Sequence, residues 1–148
     1  MKKFVLLMIV AFVMLAGCEE GAHVRTAYYE VQPNQWDQSV MLYEDGTYVV
    51  DYYYSQWQNA DITHDVIDNG VVLVYYIDAE GRDNLLPYTF YNREVDTAGN
   101  VSYYQERIEY DVEPGIITFK IKDSDFGTTQ SMANIGPMQF KVSTISNW

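Results

Sequence analysis

The chain is poor in the residues that build many known sites. Among 148 residues there is one Cys, two His, three Trp and four Pro, and only 9 basic residues stand against 21 acidic ones. One Cys closes no intramolecular disulfide. One Cys and two His cannot supply a four-ligand zinc site of the Cys/His type. A net charge of −12 excludes nucleic acid as the expected partner, because phosphate binding needs a basic surface. Gly-x-Ser-x-Gly, the turn that presents a hydrolase serine, is missing. No EF-hand spacing occurs either: Gly81 is the fourth residue counted from Asp78, where the loop needs its glycine at the sixth. What the chain has in quantity is tyrosine, 14 residues, within an apolar fraction of 48% that suits one globular domain.

The N-terminus reads as an address. Lys2 and Lys3 precede an unbroken apolar run from Phe4 to Leu15. At ~1.5 Å per residue that run spans about 18 Å as a helix, too short for a bilayer, so it matches the core of a signal peptide. It ends in Leu15-Ala16-Gly17-Cys18. These four residues resemble the lipobox of bacterial lipoproteins at every position. The resemblance implies cleavage between Gly17 and Cys18, a diacylglycerol on the Cys18 sulfur and acylation of the new amine. Two or more acyl chains hold a protein on a membrane stably. The predicted organisation is a signal peptide over 1–17, a lipidated tether over 18–26 and one domain over 27–148. Removing Lys2 and Lys3 leaves 7 basic against 21 acidic residues, a balance of −14, so the domain stands off an anionic membrane. Glu19 and Glu20, directly after the lipobox, hint at sorting between membranes.

The rest alternates like strands. Candidate strands cover 24–32, 38–43, 48–54, 70–77, 86–91, 101–112, 116–122 and 138–145, and the polar stretch 59–69 has room for one helical turn. Asp45-Gly46 between two alternating runs predicts a type I′ hairpin turn. Val71 to Ile77 is apolar at every position and predicts a central strand covered on both faces. Pro87 predicts a sheet edge or a strand start. About eight strands at this spacing predict an all-β antiparallel sandwich, with a lipocalin-like barrel as the alternative.

Two further segments carry a resemblance. Residues 62–75, from Ile62 through His64-Asp65 to Tyr75, with Leu86-Pro87-Tyr88 and the closing Phe140 to Ile145, are similar to small lipoproteins of Bacteroidetes-type bacteria. That resemblance implies an all-β fold and a bacterial envelope location, at the outer membrane, and brings no catalytic residues with it.

Candidate chemistry is sparse. His64-Asp65 suggests a Ser-His-Asp relay only if a serine and an oxyanion hole surround it, and His23 lies beside the lipid anchor, within the tether. Acid clusters at Asp61, Asp65 and Asp68, at Asp78, Glu80 and Asp83, and at Asp123 and Asp125 could hold calcium, the last pair best, but Asp is also the ordinary residue of turns. The expectation is no metal, no cofactor and no catalytic residue. In Asp51-Tyr52-Tyr53-Tyr54-Ser55-Gln56-Trp57, alternation puts Tyr52 and Tyr54 on one face and Tyr53 on the other. Tyr52, Tyr54 and Trp57 are the candidate ligand surface, because amphipathic rings suit half-wet interfaces. The sequence thus predicts a lipid-anchored, non-enzymatic envelope module that binds a glycan or an envelope protein. The alternatives are an assembly subunit using an exposed edge strand and an envelope hydrolase.

Overall fold

Strict alternation in two strands sets the architecture. In Met138–Ser146, every second residue (Met138, Phe140, Val142, Thr144, Ser146) is buried. In Ile116–Asp123, Ile117, Phe119 and Ile121 are buried while Thr118, Lys120 and Lys122 face the other way. A period of two gives each strand one apolar face, and two such faces bury each other. The computed structural model describes residues 21–95, 97–123 and 136–146. It contains β1 (His23–Val31), a 3-10 turn (Pro33–Gln35), β2 (Asp37–Leu42), β3 (Tyr48–Gln58), α1 (His64–Asn69), β4 (Val71–Ile77), β5 (Asp83–Leu85), β6 (Tyr88–Val95), β7 (Val101–Glu113), β8 (Ile116–Asp123) and β9 (Met138–Ser146).

The strands form two antiparallel sheets, one ordered β1-β9-β4-β5 and the other β2-β3-β8-β7-β6. They stack as a sandwich and do not close into a barrel, so the predicted class holds and the barrel alternative does not. Phe119 of β8 and Phe140 of β9 are fully buried and stacked, with centroids 4.0 Å apart and planes 10° apart. Tyr29 meets Phe119 edge-on at 5.6 Å and Trp57 at 5.7 Å. Trp36 and Tyr76 approach Phe140 at 6.4 and 6.1 Å. Two tyrosine hydroxyls also bridge the layers. Tyr110 donates to the Val72 carbonyl at 3.2 Å, and Tyr29 to the Gln58 carbonyl at 3.4 Å. Burial pushes the hydroxyl pKa of Tyr29, Tyr76 and Tyr110 upward, so all three stay neutral donors.

Several local expectations are corrected. Residues 23–26, assigned to the tether, belong to β1 and pair with Ser146, Ile145, Thr144 and Ser143 of β9. Asp45-Gly46 does turn a hairpin, but only Gly46 has positive φ (83°). The Gly46 amide donates to the Tyr43 carbonyl at 3.0 Å and the Tyr43 amide to the Thr47 carbonyl at 2.8 Å. The loop is therefore the three-residue type closed by a left-handed glycine rather than a type I′ turn. β4 has neighbours on both edges, yet one of its faces is open: Val71 is 47% exposed and only Val74 is fully buried. β5 is a ninth strand, formed inside a stretch expected to be a polar turn. Pro87 lies just before β6, which is a sheet edge as expected.

The two ends of the sandwich differ. At one end, Arg25 near the start of β1 pairs with Asp61 at 3.0 Å, and the Gly115 turn binds Asn59 and Ile62 through backbone hydrogen bonds of 2.9 and 2.7 Å. α1 sits here, capped by the Thr63 hydroxyl, which accepts from the Val66 amide at 3.1 Å. Gly70 ends the helix where a Cβ would lie 2.4 Å from the Ile145 carbonyl, so a larger residue forces the backbone apart. The tips of the β2-β3 and β6-β7 hairpins lie at the other end, because β3, β8 and β7 pair antiparallel in register.

Phe119→Ala is expected to destabilise the fold by about 3–5 kcal/mol, as for other buried Phe truncations. Tyr103→Ala, on a 71% exposed residue, should shift stability by less than ~0.5 kcal/mol. Urea unfolding midpoints check both; equal midpoints for the two variants would contradict this account of the core.

Candidate functional site

Because one parity of each strand faces the core, the other parity of the five-stranded sheet forms an outer face. No described element packs over it. Register fixes its rows. Ser39, Tyr52, Lys122, Arg107 and Thr89 lie side by side across β2, β3, β8, β7 and β6, and Asp37, Tyr54, Lys120 and Glu109 form the next row. In the opposite direction, Tyr91 stands beside Gln105, and Arg93 beside Tyr103.

A bulge shapes this face. Ser39 pairs with Tyr52 but the next residue, Val40, pairs with Val50, so Asp51 is the extra residue of β3. The shift turns Val50 towards the core and sends Asp51 outward, where it accepts from Lys122 Nζ at 2.9 Å.

The aromatic part of the face has two groups. Tyr52 and Tyr54 are half-buried neighbours in edge-to-face contact, with centroids 6.1 Å apart. Lys120 Nζ lies 5.0 Å from the Tyr52 ring centroid, within cation–π range. Tyr91 and Tyr103, on the far strands, are 77% and 71% exposed. The strip between the groups is charged but balanced. Lys120 binds Asp111, Lys122 binds Asp51, and Arg107 binds Glu109 at 2.7 Å. The hydrogen bond it donates to Asp111 holds the Lys120 ammonium above its usual pKa, so it remains a cation.

The predicted site residues divide. Tyr52 and Tyr54 share the outer face as expected. Trp57 does not join them: it is on the opposite side of β3, against Tyr29, with its ring N–H donating to Ser55 Oγ at 2.9 Å. Tyr91 and Tyr103 complete the face; alternation could have found their parity, but only strand order brings them to the sheet that holds Tyr52. For the assembly alternative, β1 is an edge strand whose nine pairs with β9 run without a register shift.

The acid clusters have other partners. Asp61 holds Arg25, and Asp65 accepts from Asn69 at 2.7 Å. Asp83 pairs with Lys141, and Glu80 with Arg82 at 2.8 Å. Asp78 accepts from the Glu80 and Arg82 amides at 3.1 and 2.9 Å, from Arg82 Nε at 2.8 Å and from Asn84 at 3.2 Å. Among the described residues no three His, Cys, Asp or Glu side chains are grouped to hold a metal ion. His64 is exposed at the start of α1 and makes none of the described hydrogen bonds. Cys18 and Asp125 lie outside the described residues, as does the Asp123–Asp125 pair as a site.

Among known proteins, no family, no curated protein and no solved structure matches this chain.

The Asp78 loop gives a pH signature. The Arg82 amide, then the Arg82 and Asn84 side chains, hold the Asp78 carboxyl at about 2. Its pKa is lower folded than unfolded, so its stabilisation is complete above the ordinary carboxylate range of about 4 and disappears as pH falls to about 2. The stability gap between the native chain and Asp78→Asn, followed by urea midpoint, is expected to be constant above about pH 5 and to close near pH 2. A gap that persists at pH 2 would refute the assignment.

Proposed function

We propose that this chain is a lipid-anchored binding module of the bacterial cell envelope, held at the outer membrane through Cys18, and that it binds its ligand on the outer face of the five-stranded sheet without catalysing a reaction. The observation that carries this reading is that the half-buried pair Tyr52 and Tyr54 and the exposed pair Tyr91 and Tyr103 stand on one sheet face that no described element covers. Exposed amphipathic rings grouped on one surface mark an interaction site more than rings scattered singly.

The polarity of the fold supports a tether. β1 begins at His23, at the end of the sandwich that carries Asp61 and α1. Four residues lie between Cys18 and His23, so the five Cα–Cα steps reach at most ~17 Å as extended chain. A lipid on Cys18 therefore keeps that end near the membrane and directs the two hairpin tips away from it. The outer face then runs up from the membrane and is open to a ligand from the side. The excess of acid keeps the domain off anionic lipid.

Two measurements test the reading. Cys18→Ala, followed by cell fractionation, is expected to move the protein from the membrane to the soluble fraction; unchanged membrane partition would refute the anchor. The chain from Gly21 onward, which contains both sheets, is expected to bind envelope fragments through the tyrosines. Tyr52→Ala with Tyr54→Ala, or Tyr91→Ala with Tyr103→Ala, should weaken that binding about thirtyfold if each ring contributes ~1 kcal/mol. Tyr28→Ala, on an exposed ring of the other sheet, should leave it unchanged. Binding indifferent to all four tyrosines would end the reading.

A further inference from the structure

Resting on that binding-module reading, we infer that the ligand is an uncharged glycan chain lying obliquely across β3, β8, β7 and β6, from the Tyr52–Tyr54 pair to Tyr91 and Tyr103.

The first argument is spacing. Tyr52 shares a row with Thr89, three strands away, and Tyr91 is two residues further along β6. With strands ~4.8 Å apart and ~3.3 Å per residue, the two aromatic groups are about 16 Å apart. That suits an extended polymer touching both groups, not a small molecule held in a pocket. Tyr rings offer apolar faces to the C–H faces of sugar rings, and their hydroxyls hydrogen-bond at the margin.

The second argument is charge. Arg93, Arg107, Lys120 and Lys122 are on this face, and the described acids beside them are Asp37, Asp51, Glu109, Asp111 and Glu113. The three cations of the central strip each hold a carboxylate. Within the central strip a phosphate, sulfate or uronate would have to displace Asp51, Glu109 or Asp111, and a cationic ligand would have to displace Lys120, Lys122 or Arg107. An uncharged ligand leaves every pair intact. The pairs also present N–H donors and carboxylate acceptors together, and a sugar hydroxyl both donates and accepts. Gln56, Thr118 and Asp111 continue the same chemistry in the row beyond Tyr54, Lys120 and Glu109.

The third argument sets a glycan against a protein. Protein interfaces concentrate apolar and aromatic anchors at the centre and deplete charge there. Here the order is reversed, with ion pairs in the middle and aromatic rings at both sides.

The test uses the chain from Gly21 onward in affinity electrophoresis through gels containing a β-glucan, a mannan or a xylan as neutral polymers, and heparin or alginate as anionic ones. At least one neutral polymer is expected to retard the protein. Tyr91→Ala with Tyr103→Ala should weaken that retardation at least tenfold, as should Tyr52→Ala with Tyr54→Ala, with unchanged circular dichroism. Raising salt should change it less than twofold, since no net charge is exchanged. Retardation by no neutral polymer, by anionic polymers alone, or by a neutral polymer regardless of the tyrosines overturns the inference. Envelope fragments separate that failure from failure of the broader reading. Tyrosine-dependent binding that survives periodate and is lost to protease overturns the glycan and keeps the module. Binding that ignores the tyrosines ends both.

Discussion

The stack of Phe119 on Phe140 is the contact on which the rest of this structure depends. Its direct attraction is modest, about 0.5–1.5 kcal/mol beyond the area it buries. Its importance is geometric. β8 is the middle strand of five and β9 an inner strand of four, so the pair fixes how the two sheets face each other. Tyr29, Tyr76 and Trp36 then close around it from β1, β4 and the start of β2. Tyrosine can serve in this core because its hydroxyls find carbonyls at the rim, as Tyr110 does on Val72.

Once one parity of each strand is committed to that core, the other parity is committed to the surface. The outer tyrosines therefore follow from the same register that buries the phenylalanines. The bulge at Asp51 refines the outcome. Without it, Val50 would share the outer parity of Tyr52 and Tyr54, and an aliphatic side chain would face water while a core position went unfilled. With the extra residue, Val50 packs inward and Asp51 reaches Lys122. One inserted residue thus joins a core contact and a surface ion pair.

Much of this was legible from residue order alone. β8 and β9 alternate cleanly, and Asp45-Gly46 marks a hairpin. Other features depend on what is far away in sequence. β5 is three residues, Asp83 to Leu85, and exists because β4 offers it an edge. The apolar run 71–77 looks covered on both sides, but Lys141 lying 4.4 Å over the Tyr75 ring shields that face instead of another layer. Trp57 attracted notice as a large aromatic near Tyr52 and Tyr54, yet an odd separation in a strand puts it on the other side. The candidate face itself was half legible: alternation supplied Tyr52 and Tyr54, while Tyr91 and Tyr103 needed the strand order β3-β8-β7-β6.

The distribution of charge gives the face its character. The chain as a whole repels anions, with 21 acidic residues against 9 basic. Four of the seven basic residues that follow Cys18 are nevertheless on this one face, where acids nearly match them. Exposed ion pairs add little to stability, typically 0–1 kcal/mol, so folding alone does not account for gathering them here. Their effect on a ligand is larger. A balanced strip presents strong hydrogen-bonding groups with no net field, whereas an unbalanced one would attract counterions or oppositely charged polymers from a distance. In the glycan-binding reading proposed above, tyrosine rings that need contact to act flank this strip, so discrimination rests on hydroxyl geometry and ring stacking at short range, while the acidic remainder of the surface repels anionic competitors.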